Sequence, residues 1–235
     1  MAKHVLVTGF EPFGGEKINP SEMVVRSLEG RQIAGRAIAT RVFPVETRNL
    51  HERLEKAIFE EQPDFILCLG QAGGRNAVAL ERVAVNVLDF EQPDNVGVMR
   101  KNDSILRGGP DARISNLPFD RILEAWKDNG VPGYVSNSAG TYLCNQALYE
   151  VLGLTESAAA PIVAGFIHFP YLPAQAVEAG AEQSPSMAFD LMKKAIENCI
   201  ETVVPWVEHR SVEMVHQTKS PSSMWIPRGV KEVER

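Results

Sequence analysis

Apolar and polar residues alternate along the first part of the chain as they do in strands separated by amphipathic helices. Continuous apolar runs at residues 4–8 and 65–69 predict strands buried on both faces, and residues 35–43 carry the β-branched alternation of another strand. Asn19 followed by Pro20 is a strong helix start, and residues 47–60 repeat apolar positions at helical spacing. This order predicts an α/β domain with a largely parallel sheet.

The second half continues this alternation around one long irregular segment. Residues 89–118 are rich in Asp, Asn, Gly and Pro, and their length indicates a lid or interface excursion that contains a hairpin. We expect residues 134–135 to form a central strand and Pro205 to end or kink the last helix. The other predicted elements are strands at residues 78–87 and 161–170 and helices at residues 118–126, 141–152 and from 184 onwards.

Length and charge limit the function classes. The chain has 235 residues, which suits one domain over residues 1–208 and a tail over residues 209–235 that is disordered or packed on a neighbouring subunit. A net charge of −6 argues against a nucleic-acid surface, and no apolar run is long enough for a membrane span. Three cysteines and the lack of an export signal predict free thiols in the cytoplasm.

Cys144 is the first candidate for chemistry. It follows a short strand and a polar turn at residues 136–140, so it lies in the first turn of a predicted helix. Unpaired amides and the positive end of the helix dipole favour a thiolate there, which predicts a lowered pKa and a nucleophilic sulfur. The alternative is a small buried side chain that packs the helix start.

Glu81 and His168 complete a possible catalytic set, although each has a structural alternative. Glu81 lies within an apolar strand, where a carboxylate needs a partner such as Arg75, Arg82 or a catalytic imidazole. His168 ends a buried strand and can instead bond only a backbone carbonyl. A thiol, an imidazole and a carboxylate on converging elements are the parts of an activated-cysteine triad.

Two glycine-rich loops follow predicted strands at residues 9–15 and 70–74. The first offers Phe10 and Phe13, which suit a flat, uncharged ligand, although loop phenylalanines also pack the underside of loops. Neither loop has the glycine spacing of a phosphate or dinucleotide site, which disfavours a sugar- or nucleoside-type binding module. The histidines and cysteines lack the spacing of metal ligands, so we expect no metal and no cofactor.

Several segments together resemble the pyroglutamyl peptidase type I family of cytoplasmic cysteine peptidases. The matching segments are Thr-Gly-Phe-Glu-Pro-Phe at 8–13, Asn-Pro-Ser at 19–21, Gly-Gln-Ala-Gly-Gly-Arg at 70–75, Glu-Arg-Val-Ala-Val-Asn at 81–86, Ser-Asn-Ser-Ala-Gly-Thr-Tyr-Leu-Cys-Asn at 136–145 and Phe-Ile-His-Phe-Pro-Tyr-Leu-Pro at 166–173. They occur in the family's order over about residues 4–208, and the cysteine and histidine segments are the most specific.

The resemblance implies a cysteine exopeptidase that removes N-terminal pyroglutamate from peptides, with no cofactor. In that interpretation Cys144 is the nucleophile, His168 the base and Glu81 the group that orients the imidazole. The pocket for the pyrrolidone ring would be formed by Phe10, Phe13, Gln71, Tyr142 and Leu143. The resemblance also implies a three-layer α/β/α fold of the phosphorylase/hydrolase-like type, with a mostly parallel twisted sheet, and a homotetramer.

One segment departs from the family pattern. Where the family usually has Asp-Ala-Arg-Ile, this chain has Asp-Phe-Glu-Gln at residues 89–92, so Glu91 replaces an expected cation. We hypothesise that oxyanion support is weakened or that Arg75 or Arg82 supplies it. The departure leaves open a related thiol amidase that acts on a different lactam or acylated amine.

Overall fold

The computed structural model describes residues 4–158, 161–178 and 184–218. The strands and helices that the hydrophobic pattern predicts occur in the predicted order, with additional short elements between them. The strands are β1 (His4–Phe10), β2 (Gln32–Ile33), β3 (Arg36–Phe43), β4 (Phe65–Gln71), β5 (Val78–Glu81), β6 (Val83–Val85), β7 (Ala112–Ile114), β8 (Gly133–Ser136) and β9 (Val163–Phe169). The helices are α1 (Pro20–Ser27), α2 (Leu50–Glu61), α3 (Phe119–Asp128), α4 (Leu143–Glu156), α5 (Pro173–Glu178) and α6 (Phe189–Thr218).

A seven-stranded sheet forms the centre of the fold, with strand order β2-β3-β1-β4-β9-β5-β8. The neighbours β3, β1, β4 and β9 run parallel, and each of β4 and β9 is buried over its whole length. Complete burial explains why their sequences are continuous apolar runs. Strand β5 pairs antiparallel with β9 and parallel with β8, so the sheet is mostly but not wholly parallel.

Helices cover both faces of the sheet, as expected for a three-layer α/β/α domain. One face packs against α1, α3 and α6 in a cluster that includes Trp126, Ile196 and Phe169. The opposite face packs against α2 and α4 in a second cluster that includes Leu54, Leu148 and Phe166. Side chains alternate along each strand, so neighbouring positions of β9 contribute to different clusters.

The predicted start of α1 is confirmed in detail. The side chain of Asn19 accepts a hydrogen bond of 2.9 Å from the backbone N–H of Ser21, and Pro20 is the first helical residue. Gly9 permits close packing of this helix, because a Cβ there would lie 2.8 Å from the carbonyl oxygen of Ser21. The helix is therefore fixed beside the loop that follows β1.

Some sequence expectations are wrong. The strand predicted at residues 78–87 is interrupted at Arg82, after which β6 joins β7 in a separate two-stranded antiparallel sheet. Strand β8, expected to be central, lies at the edge of the main sheet. Short apolar runs predict that a strand forms but carry little information about its neighbours.

The last helix continues through Pro205 to residue 218, although proline cannot donate the usual backbone hydrogen bond. Val203, Val204 and Val207 are buried against the sheet on both sides of Pro205, and this packing holds the helix. The predicted domain boundary at residue 208 thus falls within α6, while residues 219–235 of the predicted tail lie outside the described residues. None of the helices in the described part of the chain has the length and apolarity of a membrane span.

Candidate active site

His168 and Glu81 meet across the antiparallel pair β9–β5. His168 lies opposite Ala79, and Glu81 lies opposite Phe166, so the two side chains are diagonal neighbours on the same face of the sheet. Nδ1 of His168 is 2.8 Å from Oε1 of Glu81, and both residues are buried. This arrangement assigns the proton to Nδ1, which donates to the carboxylate and leaves Nε2 free to act as a base.

The thiol of Cys144 lies on the same face, over Gly70 of β4. A Cβ at Gly70 would be 2.8 Å from Sγ of Cys144 and 2.7 Å from the ring of Phe166. Gly70 is the register partner of His168, and side chains at paired positions project from the same face of a sheet. The absence of a side chain at Gly70 therefore leaves room for the sulfur on the face of the sheet that carries the imidazole.

Helix α4 begins immediately before Cys144. Gly140, with φ of +78°, completes the turn that reverses the chain from β8 into this helix, a conformation that favours glycine. The N-cap residue Tyr142 provides no side-chain cap, and its carbonyl accepts from the backbone N–H of Gln146. The amides of Leu143 and Cys144 belong to the helix turn without intrahelical acceptors, so they can stabilise a developing oxyanion.

The charge states of the buried pair are set by competing effects. Burial opposes ionisation of Glu81, but its hydrogen bond with His168 and the positive charge of Arg75 hold its pKa below the ordinary value. Burial lowers the pKa of His168 despite the favourable carboxylate. The resting pair is thus an ionised carboxylate and a neutral imidazole, which is the form that can accept a proton.

The predicted lowered pKa of Cys144 is wrong for the unliganded protein. Removal from water raises the pKa of its thiol to about 12, and the negative charge of Glu81 adds to this effect. Arg75 and the cysteine's own backbone amide lower the pKa, but by less. The helix start therefore does not ionise the sulfur by itself, and proton removal must accompany its attack.

Arg75 is a further member of the site. Its Nη1 donates to Oε1 of Glu81 at 2.6 Å, and its Nη2 donates to the carbonyl of Ser138 at 3.3 Å. The guanidinium therefore joins the carboxylate to the turn that precedes α4. Arg82, the alternative partner, lies instead over the ring of Phe119 at 5.3 Å from its centroid.

A narrow pocket adjoins the thiol and contains all five residues predicted to bind the ring. Asn19 and Val45, which sequence reasoning missed, complete the lining beside Phe10, Phe13, Gln71, Tyr142, Leu143 and Cys144. None of these eight lining residues is Asp, Glu, Lys, Arg or His. The free volume is only about 10 Å³, so a ring can enter only if the aromatic side chains move.

The orientation of Gln71 is fixed from outside the pocket. Its Oε1 accepts a hydrogen bond of 2.8 Å from Nε2 of the buried Gln175, whose own Oε1 accepts from the backbone of Leu172. The network leaves the side-chain N–H₂ of Gln71 as a donor for a ligand. Gln175 lies on α5, a short helix that is not among the elements predicted from the sequence, so this contact could not be foreseen.

The excursion that follows β6 borders the pocket from the other side. Phe90 is fully buried and meets the ring of Tyr142 edge-on at 4.6 Å, while the Tyr142 hydroxyl donates to the carbonyl of Pro93. Asn95 donates to both Glu11 and Pro12 of the loop after β1. Glu91, by contrast, is exposed to solvent.

No cluster of potential metal ligands occurs among the described residues.

Comparisons with known proteins agree with this geometry. The family model described as pyroglutamyl peptidase matches residues 3–205. Pyrrolidone-carboxylate peptidase of Thermococcus onnurineus is 45% identical over 198 residues, which cover 84% of this chain and 97% of that protein.

Solved structures of pyroglutamyl peptidases are also similar to this chain. Pyrrolidone carboxyl peptidase of Pyrococcus furiosus superposes with a TM-score of 0.84 at 41% identity, covering 87% of this chain and 99% of that one. Pyroglutamyl peptidase I of Bacillus amyloliquefaciens gives a TM-score of 0.81 at 38% identity, covering 85% and 96% of the two chains. This chain belongs to the pyroglutamyl peptidase family.

Proposed function

We propose that this protein is a cysteine exopeptidase that removes an N-terminal pyroglutamyl residue from peptides. The observation that carries the proposal is the alignment of Cys144 over Gly70, the register partner of His168, whose imidazole is bonded to Glu81 at 2.8 Å. The names of the similar proteins supply the substrate class, and the uncharged pocket is compatible with a lactam that lacks an ionised amine.

The reaction begins with transfer of the Cys144 thiol proton to Nε2 of His168 as the sulfur attacks the pyroglutamyl carbonyl. Glu81 stabilises the imidazolium that forms, and the amides at the start of α4 stabilise the oxyanion. The tetrahedral intermediate collapses to a thioester when the imidazolium protonates the leaving amine. Water, deprotonated by His168, then hydrolyses the thioester and releases free pyroglutamate with the thiol.

The lactam ring would bind between the aromatic side chains of the pocket. Phe10, Phe13 and Tyr142 provide flat apolar surfaces, and Leu143 closes the end beside the sulfur. Gln71 would donate to the ring carbonyl through the side-chain N–H₂ that its partner Gln175 leaves unused. Since the pocket is almost closed, we infer that substrate binding moves Phe13 and Tyr142, whose ring centroids are 5.9 Å apart.

Substitution of the nucleophile tests the proposal. Cys144→Ser should abolish release of p-nitroaniline from pyroglutamyl-p-nitroanilide while the folded structure, monitored by circular dichroism, is retained. Cys68→Ser is the matched control, because Cys68 is buried in β4 and its pKa is raised by burial to about 11. Retained activity in the Cys144 variant would refute the assignment.

A second candidate is a thiol amidase that acts on another lactam or an acylated amine. Its support is Glu91, which stands where the family usually has a cation, together with a pocket that must open for any ligand. A panel of p-nitroanilides blocked by pyroglutamyl, acetyl and six-membered lactam groups separates the two candidates. Preference for any group other than pyroglutamyl would favour the amidase.

We also propose that the protein is a cytoplasmic homotetramer with its catalytic domain over residues 1–208. Exposed apolar side chains support association, since Val96, Met99 and Ile114 are 44–59% exposed. Three free cysteines fit a reducing compartment. Light scattering of the purified protein tests the subunit number, and a monomer or dimer would contradict it.

A further inference from the structure

A second cavity lies on the α2–α4 face of the sheet, away from the thiol. It has a volume of about 690 Å³ and is lined by the start of α2, the later turns of α4 and the excursion at residues 100–107. Glu150 lines it and lies six residues beyond Cys144, which corresponds to about 9 Å along the helix axis. The volume is within the ordinary range for small-molecule sites.

The floor of this cavity contains an unsatisfied carboxyl group. Glu150 is 8% exposed, and its Oε1 accepts a hydrogen bond of 3.0 Å from Nε2 of Gln146. Its Oε2 is buried and has no hydrogen-bond partner among the described residues. Gln146 is fully engaged, because it also donates to the Thr47 carbonyl and accepts from the Thr47 hydroxyl. A buried acceptor of this kind requires a donor from elsewhere.

The other walls carry positive charge. Arg48 and Arg107 line the cavity, are exposed, and form no ion pair with any residue that the structure describes. Arg100 also lines it, but its Nη1 lies 3.6 Å from the carboxylate of Asp103, which belongs to the same lining. Arg113 is already engaged by Glu156 and by the ring of Tyr149. Arg48 and Arg107 are therefore the arginines of this lining for which the described ranges contain no ion-pair partner.

The Glu150 carboxyl group and these arginines are not paired with each other. No ion pair joins Glu150 to an arginine in the described part of the chain, although all of them line one cavity. An anion alone would meet an unfavourable carboxyl floor, and a cation alone would be repelled by the arginines. A ligand with both charges satisfies both surfaces.

We propose that this cavity binds a small zwitterion, either a free amino acid or a short peptide with a free amino terminus and carboxylate. Its ammonium group donates to Oε2 of Glu150, and its carboxylate binds Arg48 and Arg107. Charge-assisted hydrogen bonds of this kind give both affinity and orientation. The site requires neither the thiol nor the lactam pocket, so it stands independently of the proposed peptidase activity.

Isothermal titration calorimetry of the intact protein with glycylglycine tests this assignment. N-acetylglycylglycine removes the ammonium group and glycylglycinamide removes the carboxylate, so both should bind about tenfold or more weakly. Glycine distinguishes the source of the ligand: tighter binding of glycine identifies a free amino acid, and tighter binding of glycylglycine identifies a peptide. Equal binding of the acetylated probe, or no detectable binding of glycine or glycylglycine, would overturn the proposal.

Substitutions in the cavity lining test whether glycylglycine binds at this cavity. Glu150→Gln preserves shape and should weaken glycylglycine binding about ten- to a hundredfold, whereas Glu55→Gln, on the exposed face of α2, should not. The double variant Arg48→Gln/Arg107→Gln should weaken glycylglycine binding by a similar factor. Arg121→Gln is the control and should bind glycylglycine as the wild type does. Arg48 and Arg107 are exposed, so their variants should remain folded. Unchanged affinity in both sets would place the ligand elsewhere and refute the site.

Discussion

Gly70→Ala tests whether the sheet determines the position of the nucleophile. The added methyl group would lie 2.8 Å from Sγ of Cys144 and 2.7 Å from a ring carbon of Phe166, whereas ordinary contacts are 3.4–4 Å. The strand is fully buried and the Phe166 ring is enclosed in the core, so the thiol on the helix start is the group that can yield. We expect the sulfur to move by about 1 Å away from His168.

This displacement should affect catalysis more than folding. A shift of about 1 Å in a reacting group costs roughly a hundredfold in rate, equivalent to about 2.7 kcal/mol in the activation free energy. Overpacking of the core should also lower the free energy of unfolding by about 1–3 kcal/mol. The activity loss should appear in kcat, because the atoms nearest to the added methyl group belong to Cys144 and Phe166, not to the residues proposed to bind the lactam ring.

The assay is hydrolysis of pyroglutamyl-p-nitroanilide, with stability measured by urea denaturation. Gly165→Ala is the matched control, since its Cβ would meet Leu117 on the opposite face of the same sheet. Because its closest approach is 2.1 Å, it should lose at least as much stability, and it should keep kcat/KM within about twofold of the wild type. A Gly70→Ala enzyme with normal kcat, or a Gly165→Ala enzyme equally impaired, would refute the argument that Gly70 places the thiol.

Three further changes have defined outcomes. Arg75→Met removes the positive charge that lowers the pKa of His168, so the acid limb of the pH profile of kcat/KM should move to higher pH. The profile of the control Arg82→Met should not move. A shift in both variants would contradict the role assigned to Arg75. Burial raises the pKa of Glu150 from 4.5 to about 7. The stability that this one carboxyl group contributes is therefore fully present below pH 4.5 and is lost as pH rises through 7. Urea denaturation across that pH range should show that the wild type loses roughly 3 kcal/mol of unfolding free energy that Glu150→Gln does not lose. Parallel plots of unfolding free energy against pH for the two proteins would disprove this role of Glu150. Glu91→Arg should raise kcat/KM about fivefold if the missing cation weakens oxyanion support, and an unchanged value would exclude that role.

The sequence was sufficient for the elements whose signals are local. The cap formed by Asn19 depends on neighbouring residues, and the apolar runs of β4 and β9 follow directly from burial on both faces. The positions of Cys144 near a helix start and of His168 near a strand end could also be predicted. Their combination with Glu81 came from the resemblance to the family, since spacing alone left each residue ambiguous.

Pairing direction and neighbour identity required the tertiary structure. Glu81 reaches the imidazole because β5 runs antiparallel to β9, and the hydrophobic pattern of four residues contains no information about strand direction. Arg75 competes for the same carboxylate oxygen from a loop, and Gln175 orients Gln71 from a helix more than one hundred residues away. These contacts join segments that are distant along the chain.

The pKa of the Cys144 thiol also depends partly on local sequence and partly on tertiary structure. The sequence alone determined that Cys144 would meet a helix dipole, which is a local property of a residue at a helix start. Only the folded structure decided that the thiol is partly buried near Glu81, and burial and this negative charge raise its pKa to about 12. Desolvation and charge depend on everything that surrounds a group in space, so they cannot be obtained from the residues that flank it along the chain.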